Sequence, residues 1–306
     1  MHRTHSEPDS RRHRSPSRAA ALAFAFLLPL AATGCSALSM AWGYFDDVLA
    51  ERVDAWVDLR PGQRRQLERR LEPWLQRVAI ERLPGYAAFL RELAARNEHG
   101  LAPADAYWAY DRVRHDYRRL LADATAWIAP PLAELEAGQI DHLERRMRSE
   151  NAEYRARYLE VTRDDSRTAL ADRLIDQVER WIGPLDPDQV RLVRRGVTDL
   201  PDTSAEWYAY RLRMQAGLLQ LVRGDADAAA IRAHLQDWWI ERAGLPESEQ
   251  AAFRRFEREL VAVLGELAAT LSQGQRAELG RRLERIAGSF ETIERDARVA
   301  AGLAAD

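Results

Sequence analysis

The amino-acid sequence predicts an all-α protein, a multi-helix bundle of about nine to eleven amphipathic helices joined by short loops. Apolar residues recur at helical steps of three and four along most of the chain after Cys35. No segment shows the strict apolar–polar alternation of a strand, and no Asn-Gly or Asp-Gly pair marks a hairpin turn. Proline and glycine fall mostly between the periodic segments, where helices are expected to begin or end.

Five segments carry the clearest apolar stripes, and each stripe predicts one buried helix face. Side chains three and four residues apart lie on the same side of a helix, so each set is expected to pack inward. The five sets are Phe45, Val48, Leu49, Val53 and Trp56; Leu67, Leu71, Trp74, Leu75 and Val78; Leu170, Leu174, Val178 and Trp181; Phe253, Phe256, Leu260, Val263 and Leu267; and Leu279, Leu283, Ile286, Phe290 and Ile293.

Proline residues mark the expected helix boundaries, because proline suits the first turn of a helix and disrupts its interior. Pro73 is the exception: it lies inside the second stripe and predicts either a kink or a first-turn position. The prolines expected between helices are Pro61, Pro84, Pro103, Pro130, Pro131, Pro184, Pro187, Pro201 and Pro246.

The composition limits the class of protein. The chain has 306 residues, of which 46% are hydrophobic and 30% charged, which excludes a disordered tail and a multi-span membrane protein. A single cysteine excludes a disulfide framework and a Cys-rich zinc module. The formal net charge of −3 gives no electrostatic reason to expect nucleic acid, although all 45 basic residues are Arg.

We expect one helical domain over residues 35–306, or two tightly packed halves that meet near residues 183–203.

Residues 1–34 have the composition of an export signal. A polar, basic segment to Arg18 precedes an apolar run of 14 residues that ends at Ala32, too short to span a bilayer. The sequence Ala32-Thr33-Gly34-Cys35 resembles the bacterial lipobox, in which the signal is cleaved between Gly34 and Cys35 and the cysteine is acylated. Ala32 departs from the usual Leu or Val at its position.

This resemblance implies a protein held on a membrane by a covalent lipid on Cys35. Three acyl chains exceed the two membrane signals that stable anchoring needs. Ser36 stands where lipoproteins of enteric bacteria carry Asp when they stay at the inner membrane. We therefore expect the periplasmic face of the outer membrane of a Gram-negative bacterium.

A Leu-x-x-x-Gln pattern occurs four times, as Leu59 to Gln63, Leu135 to Gln139, Leu185 to Gln189 and Leu271 to Gln275. The unequal spacing excludes a solenoid of fixed period. Helix-start chemistry explains most of the pattern, because Asp186 and Ser272 are good N-caps and the Gln three residues later completes a capping box. The four glutamines, Gln63, Gln139, Gln189 and Gln275, are also candidate partner-binding positions.

Two family resemblances accompany these residues. The Leu-x-x-x-Gln segments resemble the Leu-Thr-x-x-Gln signature of Spy-type periplasmic chaperones, although none has the Thr. A second resemblance spans most of the chain after Cys35 and rests on the lipobox, Trp42-Gly43-Tyr44-Phe45, Leu59 to Gln63, Leu83-Pro84-Gly85-Tyr86 and Phe89 to Leu93. It is similar to an uncharacterised, domain-of-unknown-function family of proteobacterial lipoproteins, which implies an α-helical envelope protein and supplies no activity.

Motifs for known chemistry are missing from the sequence. No Gly-x-Gly, Walker loop, Gly-x-Ser-x-Gly or His-Glu-x-x-His occurs, which removes the familiar nucleotide, nucleophile and zinc sites. Asp111 and His115 are spaced as half a metal site, but a surface pair at i,i+4 explains them better. Glu247-Ser248 superficially resembles the catalytic dipeptide of lytic transglycosylases, although Glu247 reads as a helix start. The nine Trp indicate helix–helix packing, with an aromatic-lined groove as the alternative.

The sequence therefore favours a non-enzymatic lipoprotein that binds or scaffolds a protein partner, with no nucleic acid, nucleotide or metal bound. A periplasmic chaperone-like holdase is the alternative, and a peptidoglycan-acting enzyme is the third hypothesis.

Overall fold

The structure is a computed structural model that describes Leu38 and residues 41–303. Those residues form an all-α bundle without a strand, which confirms the predicted fold class. Eleven α-helices are bounded in this part of the chain: α1 Phe45–Val57, α2 Pro61–Glu81, α3 Leu83–Glu98, α4 Pro103–Ala133, α5 Ala137–Tyr158, α6 Arg163–Ile182, α7 Pro187–Thr198, α8 Ser204–Arg223, α9 Ala228–Gln236, α10 Glu247–Ala269 and α11 Gln273–Ala300. A π-helical turn, Asp237–Glu241, follows α9.

The predicted stripes face inward, with one instructive exception. Four of the five residues in the α2 stripe are at most 6% exposed, and Leu75 is 7% exposed. Val48, predicted on the buried face of α1, is instead 51% exposed. The stripe of α1 is centred on Ala50 and Val57, so Val48 falls beyond its edge.

Proline starts α2, α4 and α7 at the first helical position, as predicted. Pro73 lies in the interior of α2, so the first-turn alternative is wrong. The expected break at Pro130 and Pro131 is also wrong, because α4 continues through both. Ala129, Pro131 and Leu132 are buried there, and their packing offsets the missing backbone hydrogen bonds of the last turn.

Helices far apart in sequence pack together. Helix α3 runs antiparallel to α11, since Asn97 at its end donates to the Arg276 carbonyl at 2.7 Å while Tyr86 near its start contacts the Phe290 ring. Helix α4 packs against α9 and α10, and α7 packs against α6 and α10. Five clusters of buried apolar residues fill the spaces between the helices. None of the described helices is both long and apolar enough to cross a membrane.

Candidate functional site

The structure brings the four repeated glutamines together in two pairs. The amides of Gln63 and Gln139 face each other, and each donates from Nε2 to the Oε1 of its partner, at 3.3 and 2.8 Å. Gln189 and Gln275 do the same, at 2.9 Å in both directions. We call each pair a glutamine clasp. The first clasp joins the starts of α2 and α5, and the second joins the starts of α7 and α11.

Each amide also reaches across to the loop that precedes the partner helix. Gln63 Nε2 donates to the carbonyl of Glu134 at 3.2 Å, and Gln139 Nε2 donates to that of Asp58 at 2.8 Å. In the second clasp, Gln189 and Gln275 donate in the same way to Thr270 and Pro184, at 3.2 and 2.9 Å. In all four cases the acceptor lies two residues before the N-cap of the partner helix, so the two clasps are one geometry built twice.

The Oε1 atoms complete the arrangement by capping their own helices. Each accepts from the backbone N–H of the residue three positions earlier, which otherwise lacks a partner at a helix start. These donors are Arg60, Glu136, Asp186 and Ser272, at 3.0, 3.2, 3.0 and 3.0 Å. The amides of the four glutamines are thus engaged inside the chain, and their role in binding a partner stays a prediction.

The remaining sequence candidates do not converge on one site. Gly34 and Cys35 lie outside the described residues. Asp111 and His115 lie on the exposed side of α4, and Glu247 is exposed in the first turn of α10. Within the part of the chain that the structure describes, no group of three or more His, Cys, Asp or Glu side chains is placed to hold a metal ion.

The tryptophans pack between helices rather than around a ligand groove. All nine lie in or against the hydrophobic clusters. Trp74 and Trp127, 6% and 7% exposed, contact each other with ring centroids 5.5 Å apart. Trp42 stacks on Phe45, with centroids 5.5 Å apart.

A shallow groove of about 430 Å³ lies between α8 and α9, where His234 faces Gly217. His234 Nε2 is 2.8 Å from the carbonyl oxygen of Met214. A carbonyl only accepts, so this ring nitrogen carries the proton and donates. Gly217 allows the close approach, because a β-carbon there would collide with the ring. His234 therefore ties the two helices together, and Gln220 is the other polar side chain that lines the groove.

A cluster that the sequence did not single out lies between the end of α5 and the start of α8. Tyr154 and Tyr158 from α5 contact each other with ring centroids 4.7 Å apart, and Tyr208 from α8 stacks on Tyr154 at 5.7 Å. The Arg211 guanidinium lies 6.0 Å from the centre of the Tyr154 ring. Leu212, the residue after Arg211 on α8, is exposed. We call these five residues the tyrosine patch.

Burial shapes the electrostatics of the tyrosine patch. It raises the pKa of Tyr154 to about 12, because the phenolate loses hydration, while the hydroxyl group donates to the Ser204 carbonyl at 3.2 Å. Burial also lowers the pKa of Arg211. Among residues 41–303, no carboxylate lies within ion-pair distance of Arg211, although Glu150 and Glu153 are close enough to favour its charge. Arg211 is thus a half-buried cation without a direct counter-ion.

The tyrosine patch escaped sequence reasoning because its members come from two helices about 50 residues apart. Only the α8 part left a signal: Tyr208, Arg211 and Leu212 follow at i, i+3 and i+4, which puts them on one helix face. Beneath the rings, a buried hydrogen bond of 2.6 Å from Asn151 Nδ2 to Gln215 Oε1 fixes α5 against α8.

Comparison with known protein families gives one match. The model of a family of unknown function, DUF6279, matches residues 55–245, which is more than half of the chain. That range contains the first clasp, Gln189 of the second and the whole tyrosine patch. Comparisons with curated proteins and with solved structures gave no match. The chain belongs to DUF6279, a family of unknown function.

Proposed function

We propose that this protein is a cell-envelope lipoprotein, anchored through Cys35, that binds a protein partner at the tyrosine patch without performing catalysis. The single observation that carries the binding proposal is Arg211, which is held among tyrosine rings with no ion pair inside the described chain. A half-buried guanidinium gains most when a carboxylate meets it in a site that excludes water.

The composition of the tyrosine patch supports a protein ligand. Tyrosine and arginine are enriched among the residues that dominate binding energy at protein interfaces. Two exposed apolar side chains are close in sequence to the rings: Leu212, 39% exposed, four residues after Tyr208, and Val161, 38% exposed, three residues after Tyr158. The partner that fits therefore presents a carboxylate next to an apolar side chain.

The anchor rests on the lipobox resemblance and on how soon the fold begins after it. Helix α1 starts at Phe45, ten positions after Cys35, so little chain separates the acylated residue from the helical body. A body on so short a tether stays near the membrane while the rest of its surface faces the periplasm.

The two other hypotheses have weaker support. The holdase hypothesis rested on the four Leu-x-x-x-Gln segments and on Arg-rich amphipathic helix faces, and the amides of the four segments are engaged within the two clasps. The cell-wall hypothesis rested on Glu247, which lies exposed at the N-terminus of α10, where a carboxylate is favourable for the helix itself.

The anchor is tested by expressing the full chain with Cys35→Ala. The wild-type chain is expected in the membrane fraction with a mass that starts at an acylated Cys35, whereas Cys35→Ala keeps its signal and carries no lipid. Ser36→Asp serves as the matched control, because it preserves acylation and is expected to retain the protein at the inner membrane. Normal maturation of Cys35→Ala would contradict the proposal.

The binding surface is tested by placing a photoreactive amino acid at Leu212 in cells. Tyr107 is the matched control position, because it is also 39% exposed and belongs to α4. We expect one dominant protein, captured at near-constant stoichiometry from position 212 and not from position 107. A broad set of clients that grows under unfolding stress would support the holdase instead.

A further inference from the structure

The most exposed large apolar side chains gather at one end of the molecule. Seven such side chains are exposed among residues 41–303, and the four most exposed are Tyr44 at 68%, Val299 at 66%, Val48 at 51% and Leu303 at 49%. Tyr44 and Val48 lie at the start of α1, Val299 lies in the last turn of α11, and Leu303 follows that helix by three residues. We call these four residues the terminal face. Apolar side chains that cluster this way mark a contact surface, whereas scattered ones do not.

Packing places the start of α1 and the end of α11 together. Trp42, two residues before Tyr44, packs against the cluster that contains Val78 and also against the one that contains Ala79 and Ile293. Helix α2 ends at Glu81, two residues after Ala79, and α3 begins at Leu83. Leu83 belongs to the same cluster as Ala79 and Ile293. Because α3 and α11 are antiparallel, the last turns of α11 reach this same end.

Both halves of the terminal face are held in place. Tyr44 and Val48 are four residues apart, so they lie one above the other on α1. Leu303 follows Gly302, whose φ of 68° closes a Schellman motif. The Leu303 N–H donates to the Arg298 carbonyl at 2.9 Å, and the Gly302 N–H donates to that of Val299 at 3.1 Å. These exposed side chains are therefore ordered parts of the body.

We propose that the terminal face rests directly on the phospholipid bilayer. This inference depends on the proposed lipid anchor, because Leu38 and Trp42, the described residues nearest to Cys35 that pack on the body, contact the cluster that contains Ile293. Leu38 follows Cys35 by three residues, a reach of about 10 Å at full extension. The acyl chains then hold the four apolar side chains within reach of the interface, where tyrosine and aliphatic groups are favourable.

Charge selects the kind of lipid. The first turn of α1 carries Asp46 and Asp47 beside Tyr44, whereas Arg298, beside Val299, forms an ion pair with Glu294. These carboxylates are repelled by an anionic surface, whereas a zwitterionic one leaves the apolar contact unopposed. The face thus fits a bilayer of zwitterionic phospholipid, such as phosphatidylethanolamine.

The test uses the mature lipoprotein reconstituted in zwitterionic phospholipid vesicles. Because acylation blocks the sole natural thiol, a cysteine introduced as Val48→Cys or Val299→Cys is the single site for an environment-sensitive fluorophore. Tyr107→Cys and Leu212→Cys are controls on exposed side chains outside the terminal face. We expect a blue-shifted emission at the two test positions, with strong quenching by lipids that carry a nitroxide in the acyl chain, and neither effect at the controls.

The outcomes separate this inference from the anchor. Labels at positions 48 and 299 that stay unquenched on protein that co-sediments with the vesicles would overturn the membrane contact and leave the anchor standing. Mature wild-type protein that carries no acyl chain on Cys35 would overturn the anchor itself. Self-quenching between labels without quenching by lipid would assign the terminal face to a second copy of the chain, and would also overturn the proposal.

Discussion

At the scale of single residues, the glutamine clasps show how one side chain joins two helices. A carboxamide has two donor hydrogens and two acceptor lone pairs. At Gln189 these are divided between the Asp186 N–H, the Gln275 amide and the Thr270 carbonyl. Gln189 is 2% exposed, so no water replaces a partner that is lost. The hydrogen bonds of the Gln189 amide are therefore expected to contribute more to stability than surface contacts do.

The substitution Gln189→Met tests this claim, because methionine has a similar volume and cannot accept or donate in the same way. We expect the free energy of unfolding to fall by about 1–3 kcal/mol, since the three polar groups bonded to this buried amide lose a partner. Urea denaturation measures it. The control is Gln220→Met on the exposed face of α8, expected to change stability by less than about 0.5 kcal/mol.

A double substitution tests whether Gln189 and Gln275 stabilise the fold through the same hydrogen bonds. Gln189→Met combined with Gln275→Met is expected to cost less than the sum of the single changes, by about 1 kcal/mol, because both remove the same reciprocal hydrogen bonds. Strictly additive costs would show that the reciprocal hydrogen bonds between the two amides do not contribute to stability. A Gln189→Met protein as stable as Gln220→Met would show that the Gln189 amide contributes nothing.

At the scale of helices, the sequence predicts where most elements begin. Proline at the first position and a capping residue act locally, so the starts of α2, α4, α7 and α11 follow from a few neighbouring residues. The end of α4 does not, because burial of Leu132 and its neighbours outweighs the local effect of two prolines. The pairing of helix starts in the clasps is also beyond local rules, since it joins residues 76 and 86 positions apart.

The exposure of individual side chains is also only partly predicted by local sequence rules. Periodicity assigns Val48 to the inner face of α1, yet the neighbours that would cover it are absent from that side, and 51% of it stays exposed. The tyrosine patch was missed for the complementary reason, because α5 and α8 contribute its rings and only their contact creates it.

Close packing between α7 and α10 supplies a prediction at this scale. A β-carbon on Gly196 would collide with the Val263 side chain, so Gly196→Ala forces the two helices apart. We expect a loss of about 1–3 kcal/mol in the free energy of unfolding. Gly288→Ala in α11 is the control: its β-carbon meets open space, and removing a helical glycine is expected to stabilise by about 0.5–1 kcal/mol. Losses of equal size at both positions would contradict this account of the packing.

At the scale of the whole molecule, the surface of the proposed membrane contact and the two clasps lie at different ends of the helices. The terminal face lies where α1 begins and α11 ends, beside the chain that leads to Cys35. The clasps lie at the opposite ends of α2 and α11, about 27 Å away along α2 by helix rise. The tyrosine patch begins at Tyr154, fifteen residues along α5 from the clasp glutamine Gln139. The proposed membrane contact and the proposed binding surface therefore lie on different helices.

The most direct test of the central claim compares two arginines on α8. Arg211→Gln removes the cation of the tyrosine patch, whereas Arg213→Gln removes a half-exposed neighbour that lies 3.9 Å from Glu249. Photocrosslinking from position 212 is measured in cells for both variants of the full chain. The account predicts that the dominant captured protein is lost by about tenfold in Arg211→Gln, the equivalent of about 1.4 kcal/mol, and is retained in Arg213→Gln. Equal capture in both variants would contradict it.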